Sequence, residues 1–230
     1  MRDAPCGRLD CPVVEPDSID RRSLRIHTVD PGVEWFRAAR HEHVTQAFTP
    51  EGIGNGRFSP LAGRGHTYVA RQRSATLLES VLHETAGPNP RIYAATLARH
   101  SIARVSVDDE IRLLDLRDDA LGELGLSRSQ LTGTTPRHYA CTRLVADHLV
   151  GAKSTVGLVW TSRQGTLHAE RNPDGLASEV LHHERLDVAV LYSPDADGRV
   201  RVTHTEAISV DGTPGRFVLE LANLLRIAVL

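Results

Sequence analysis

Gly56-Arg57-Phe58-Ser59-Pro60, a turn through Gly63 and Gly65, His66-Thr67-Tyr68-Val69-Ala70, and Ser74-Ala75-Thr76-Leu77-Leu78-Glu79-Ser80-Val81-Leu82-His83-Glu84 follow one another in a single run. The run reads as loop, strand and helix. His66 to Ala70 predicts a short strand. Ala75, Leu78, Val81 and Leu82 recur at helical spacing, which predicts a helix capped by Ser74 and ended before Gly87-Pro88. The same run spaces three polar side chains evenly: Arg57 to Tyr68 is 11 positions, and Tyr68 to Glu79 is 11 again. Arg57 lies in a loop, Thr49 to Gly65, whose glycines let backbone approach a ligand closely. A guanidinium there can clamp a phosphate by two parallel hydrogen bonds. Glu79, at the edge of the apolar stripe, can reach the rim of a cleft.

Outward from this run, Ser23 to Val29 alternates and ends at Asp30-Pro31-Gly32, a first strand. Glu34 to Phe48 has weak helical periodicity and reads as an irregular excursion. Arg91 to Leu97, Ile102 to Val107 and Ile111 to Leu116 are β-like, the last two flanking Asp108-Asp109-Glu110 as a hairpin turn. Asp118 to Leu124 is a short helix, and Pro136 to Val150 a long one with Gly151 at its C-terminal cap. Val156 to Thr161 is an apolar strand that runs into Ser162-Arg163-Gln164-Gly165. Asp187 to Tyr192 and Val200 to Ile208 are strands joined by Pro194 to Gly198, and Gly215 to Leu230 a closing helix. Strands outnumber helices without βαβ alternation, so the fold class is α+β. Residues 1–22, with Pro5, Pro12 and Pro16, are expected to form a loosely ordered arm, and 23–230 a single domain.

Bulk properties bound the function. The 230 residues suit one domain with its own core. A net charge of -2 and 4% aromatic content argue against a nucleic-acid surface. The N-terminal region carries Arg2, Asp3 and Arg8 rather than an apolar run, and no segment is apolar for the length of a bilayer. A cytoplasmic protein with free thiols at Cys6, Cys11 and Cys141 is expected, with no metal. His41-Glu42-His43 and His182-His183-Glu184 lack the His-Glu-x-x-His spacing of a zinc helix. His66 and His83 flank the proposed pocket. The loop around Arg57 is not a P-loop, and Ser162 is not in a nucleophile elbow. Taken singly, Arg57, Tyr68, Glu79 and Ser162 each have an ordinary explanation: a solvated loop cation, a core phenol, a surface carboxylate and a turn hydroxyl.

Taken in order, they resemble a family. Arg25 in a first strand, Gly56-Arg57-Phe58-Ser59-Pro60, Tyr68 in a strand, Glu79 at the end of Ala75-Thr76-Leu77-Leu78-Glu79, and Gly157-Leu158-Val159-Trp160-Thr161-Ser162-Arg163 together resemble the RES domain over roughly Leu24 to Tyr192. Ser59 stands where the family often has Asn, and Trp160 where it often has Arg or Tyr. The resemblance implies an ADP-ribosyltransferase-like mixed sheet with surrounding helices. It implies the toxin half of a bacterial toxin–antitoxin pair that cleaves the nicotinamide–ribose bond of NAD, with water or inorganic phosphate as acceptor. NAD is then a substrate, inorganic phosphate a possible co-substrate, and no resident cofactor is required. By the same resemblance Glu79 stabilises the oxocarbenium ion, and Arg57 with Arg25 holds the pyrophosphate. Tyr68 walls the nicotinamide, Ser162 bonds the nicotinamide-ribose end, and Arg163 assists with phosphate. The implied partner is an Xre-type helix-turn-helix antitoxin, with a homo-oligomer possible inside the complex and no direct nucleic-acid contact. Two alternatives stay open: transfer of ADP-ribose to a macromolecule, and an inactive nucleotide- or partner-binding module.

Overall fold

The computed structural model describes residues 5–82, 89–171 and 186–230. In chain order the strands are β1 (Ile26–Val29), β2 (Glu34–Arg40), β3 (His66–Ala70), β4 (Arg91–Ile92), β5 (His100–Val107), β6 (Ile111–Asp115), β7 (Gly157–Thr161), β8 (Asp187–Tyr192), β9 (Val200–Ala207), β10 (Ser209–Val210), β11 (Thr213–Pro214) and β12 (Ala228–Val229). The helices are α1 (Arg73–Glu79), α2 (Ala94–Leu97), α3 (Asp118–Glu123), α4 (Tyr139–Leu149), α5 (Arg163–Arg171) and α6 (Arg216–Leu224). Eight strands form one sheet in the order β1-β6-β7-β8-β3-β2-β5-β9. Among the described residues only β6 and β7 pair in parallel within it, so the sheet is mixed and the α+β class holds. Among the described residues no helix is long and apolar enough to cross a membrane.

Alternation along the central strands explains the layering. In β8, Val188, Val190 and Tyr192 enter one apolar cluster, and Ala189 and Leu191 enter the other. In β7, Leu158 and Trp160 face the first cluster and Val159 the second. The first cluster is completed by Leu77 and Leu78 of α1 and by Val145, Ala146 and Leu149 of α4. The second is mostly strand residues: Val29 of β1, the first strand of the sheet, shares it with Val105 of β5, the seventh in order. The sheet therefore curls on this face until its own strands cover it.

Several expectations are corrected. Glu34–Arg40 is an interior strand, not an excursion: all seven residues of β2 pair with β5, from Glu34 with Ser106 to Arg40 with His100. Asp108 to Glu110 does not close a hairpin, because β5 pairs with β2 and β9 while β6 pairs with β1 and β7. Likewise β9 follows β8 in sequence but lies beside β5. Arg91 to Leu97 divides into β4 and α2, and the closing segment into α6 and β12. Gln72, not Ser74, precedes α1, and Ser74 is buried within it. The arm is docked at Val13, Val14 and Ile19. Ile19 is buried, Val13 and Val14 pack on the first cluster, and Val14 N–H donates to Gln130 O. These apolar residues anchor an otherwise polar segment.

An ion cluster ties β6 to β8. Arg117 bonds both Asp115 carboxylate oxygens, at 2.9 and 2.7 Å, and reaches Asp187 at 3.1 Å. Burial acts to raise the Asp115 carboxyl, but the bonds and charge of Arg117 outweigh it and hold it below the usual range. Arg117→Met leaves two buried carboxylates facing each other without a cation. It is expected to destabilise the fold by about 3–5 kcal/mol in urea unfolding. A change under about 1 kcal/mol would show that the carboxylates are solvated without Arg117.

Candidate active site

β2 and β3 pair at a single position, Phe36 with Ala70. Beyond it they separate, and a cavity of about 590 Å3 opens between Arg37–Arg40 on one side and His66 and Tyr68 on the other. That volume falls within the range of small-molecule sites, roughly 300–1,000 Å3. Arg57, Glu79, Tyr139 and Trp160 complete the part of the wall that carries chemistry. Arg57, Tyr68 and Glu79, remote in sequence, thus share one cavity.

The loop that carries Arg57 is tied to its surroundings by hydrogen bonds and packing. Its backbone carbonyl accepts from Thr142 Oγ1 at 2.5 Å, and the neighbouring Phe58 carbonyl accepts from Tyr192 Oη at 2.7 Å. Phe58 is fully buried, its ring edge-on to Trp160 at 5.0 Å. Gly56 passes so close over the Tyr68 hydroxyl that any side chain there would collide with it. The Arg57 guanidinium donates from Nη2 to Thr134 O at 3.1 Å and lies 5.5 Å from the Tyr139 ring centroid. Its Nε is buried with no partner among the described residues, as is Trp160 Nε1. Buried donors of this kind are rare unless something binds them.

Glu79 closes α1. The C-terminal end of a helix disfavours a carboxylate, so the side chain is held from elsewhere. Ser162 Oγ donates to Glu79 Oε1 at 2.6 Å, and Gln164 N–H, in the first turn of α5, donates to the same oxygen at 3.1 Å. Glu79 Oε2 has no partner among the described residues. Ser162 is fully buried and its hydroxyl also accepts from Gly165 N–H at 3.0 Å. It therefore stands behind Glu79 and fixes that carboxylate, rather than lining the wall. Arg163 opens α5 and is also outside the lining.

Tyr68 Oη accepts from Phe58 N–H at 3.0 Å and from Ser59 Oγ at 3.2 Å, which leaves its own hydrogen without an acceptor among the described residues. Burial first, opposed by these bonds, pushes the phenol up to about 12, so it remains a donor at neutral pH. His66 packs edge-on to Tyr68 at 5.7 Å. Burial, then the charge of Arg37, pulls the His66 imidazole down to about 4. The unfolded chain takes up that proton near the ordinary histidine value of about 6.5. Stability from neutral His66 is thus complete above about pH 6.5 and drains as pH falls toward 4, by on the order of 3 kcal/mol. Urea midpoints at pH 7 and 4.5 should differ less in His66→Gln than in the parent; equal slopes would show that His66 is not the group responsible.

The sequence missed Arg37. It is buried in β2 and donates to the carbonyls of His43 (3.4 Å) and Gln46 and to Thr49 Oγ1 (3.1 Å), with no carboxylate partner among the described residues. Burial lowers it to about 10, still protonated at neutral pH. A charged residue on the inward face of a strand was the available signal, and it was hidden while the segment was read as irregular. Arg25 is the opposite case: it is half exposed, pairs with Glu123 at 3.1 Å beside the edge strand β1, and is absent from the cavity wall. Of the histidines singled out, His41 bonds Ser101 Oγ and Ala98 O, while His83, His182 and His183 lie outside the described residues.

Comparison with curated protein sequences found no match. Among solved structures, a chain of the M. tuberculosis MbcT–MbcA toxin–antitoxin complex is similar in fold, with a TM-score of 0.56 at 16% identity over 92% of this chain and 96% of that one. The sequence profile of the RES domain matches residues 34–210, which takes in β2, the Arg57 loop, Tyr68, Glu79 and Ser162. A match over most of the chain, with the cavity inside it, places this protein in the RES domain family.

Proposed function

We propose that this chain cleaves the bond between nicotinamide and ribose in NAD. One observation carries the reading: Glu79, whose Oε2 has no partner among the described residues, lines the same cavity as two buried guanidiniums, Arg57 and Arg37, that no carboxylate neutralises among the described residues. A ligand suited to this wall carries anionic oxygens at one part and a cationic or cation-developing carbon at another. A pyridinium dinucleotide has both. Arg57 and Arg37 take the pyrophosphate, and Tyr68 donates from the wall to an acceptor on the bound nucleotide.

In the reaction the C1′–N bond breaks and its electron pair goes to the ring nitrogen. Nicotinamide leaves neutral and needs no general acid. Positive charge then spreads over C1′ and the ring oxygen of the ribose, and Glu79 faces it, held by Ser162 and Gln164 so that no reorganisation is needed as the charge develops. The acceptor adds to C1′ and gives its proton to solvent. Membership of the RES family supports a toxin of a toxin–antitoxin pair, and the proposed setting is the cytoplasm, where NAD is found, with an Xre-type antitoxin as the neutralising partner.

Purified chain is incubated with NAD, with and without inorganic phosphate, and the products are separated. Free nicotinamide with ADP-ribose indicates water as acceptor. A phosphate-dependent rate with a phosphorylated ADP-ribose indicates phosphate, and label retained on protein or nucleic acid indicates transfer. NAD returned intact under every condition refutes the reading and leaves a binding module.

A further inference from the structure

The three cysteines meet although 130 positions separate Cys11 from Cys141. Cys11 Sγ is 3.6 Å from Cys141 Sγ, and all three sulfurs lie within 4.8 Å of one another. His138 turns Nδ1 into the same cluster, 3.6 Å from Cys6 Sγ and 3.4 Å from Cys11 Sγ. Cysteine spacing alone concealed this, because the fourth group is a histidine and the second pair lies far along the chain. Read as pairs, Cys6 and Cys11 enclose four residues, and His138 and Cys141 enclose two. Both are short ligand spacings, contributed by two separate segments.

The distances match a particular object. With metal–sulfur bonds of about 2.3 Å and a metal–nitrogen bond of about 2.0–2.1 Å, a tetrahedral site has edges of about 3.8 Å between sulfurs and about 3.6 Å between sulfur and nitrogen. Three of the six edges, at 3.6, 3.6 and 3.4 Å, agree with these to about 0.2 Å, and the other sulfur–sulfur edges are within 4.8 Å; His138 falls outside that mutual 4.8 Å group, so its ring must shift toward Cys141 as the ion binds. A thiol hydrogen bond or a future disulfide accounts for two of the four groups; a tetrahedral ion, with the His138 ring turned toward Cys141, accounts for all four. Three thiolates and one imidazole suit zinc.

We propose that Cys6, Cys11, His138 and Cys141 form a structural zinc site that staples the N-terminal segment to the start of α4. On binding, the three thiols release their protons to solvent and the imidazole coordinates through Nδ1. Its proton then sits on Nε2, which now accepts from Arg137 Nε at 3.0 Å, so the exposed Arg137 side chain must swing aside. Four protein ligands close the shell and leave no position for substrate. The staple still bears on the cavity. His138 and Cys141 flank Tyr139, which lies against the Arg57 guanidinium, and Thr142 holds the Arg57 carbonyl.

The test uses the full chain, purified from zinc-supplemented culture without chelator, with metal measured by mass spectrometry. One zinc per chain is expected, lost in Cys11→Ser and in His138→Ala, and the thermal midpoint should fall when a chelator strips it. Should the variants fail to fold, the parent suffices: cobalt added to the stripped protein should give visible bands of a tetrahedral ion and near-ultraviolet thiolate-to-cobalt absorption. Zinc retained undiminished in a folded Cys6→Ser, Cys11→Ser double variant overturns the site. So does a stripped chain that gives no cobalt spectrum, or a metal-free chain whose cysteines are joined as a disulfide.

Discussion

Glu79→Gln is expected to lower nicotinamide release from NAD by about 100-fold or more, with little change in KM. The amide is the same size and can still accept from Ser162 and Gln164, so the geometry survives and only the negative charge is lost. That charge matters chiefly when the ribose becomes cationic. Loss of one preorganised electrostatic contact to a transition state costs about 3–4 kcal/mol, or two to three powers of ten in rate. An effect on turnover without one on KM is the mark of an interaction made in the transition state. A folded Glu79→Gln with turnover within a few-fold of the parent removes Glu79 from the chemistry.

Arg57→Ala is the second large effect, and its signature differs. The guanidinium is proposed to hold the pyrophosphate in ground and transition state alike, so kcat/KM should fall by about 10–100-fold, mainly through KM. Because Arg57 also bonds Thr134 and lies against Tyr139, part of the loss would come from packing. Arg57→Lys separates the two contributions: it keeps the charge but not the planar fork, and should recover only part of the affinity. Unchanged NAD affinity in Arg57→Ala would move the pyrophosphate elsewhere in the cavity, with Arg37 the next cation to test.

The parts of the fold that were legible in the sequence are those whose pattern is local. β7 is a continuous apolar run because it is buried on both faces, and α4 carries its proline before it and its glycine after it. β2 was not legible. Ala38 and Ala39 favour helix locally, and the buried Arg37 breaks the apolar face, so its strand character comes from pairing with β5, which lies far along the chain, from Glu34 with Ser106 to Arg40 with His100. The expected hairpin failed for the same reason: a turn sequence predicts a reversal, not which strand lies alongside. At the site, even spacing brought out Arg57, Tyr68 and Glu79, and the structure gathers these three in one cavity. Ser162 was also picked out, but its position behind Glu79 depends on how α1 meets α5, which no sequence pattern records. Arg25 was drawn from family order alone, and it lies beside the edge strand β1, paired with Glu123 and outside the cavity wall.

The most direct test of the central claim is free nicotinamide released from NAD by the purified chain, followed in time beside Glu79→Gln at equal folded concentration. The proposal predicts many turnovers per chain for the parent, with water or phosphate supplied, and near-background release for the variant. Equal release by both proteins, or none from a folded parent under any acceptor condition, would contradict it.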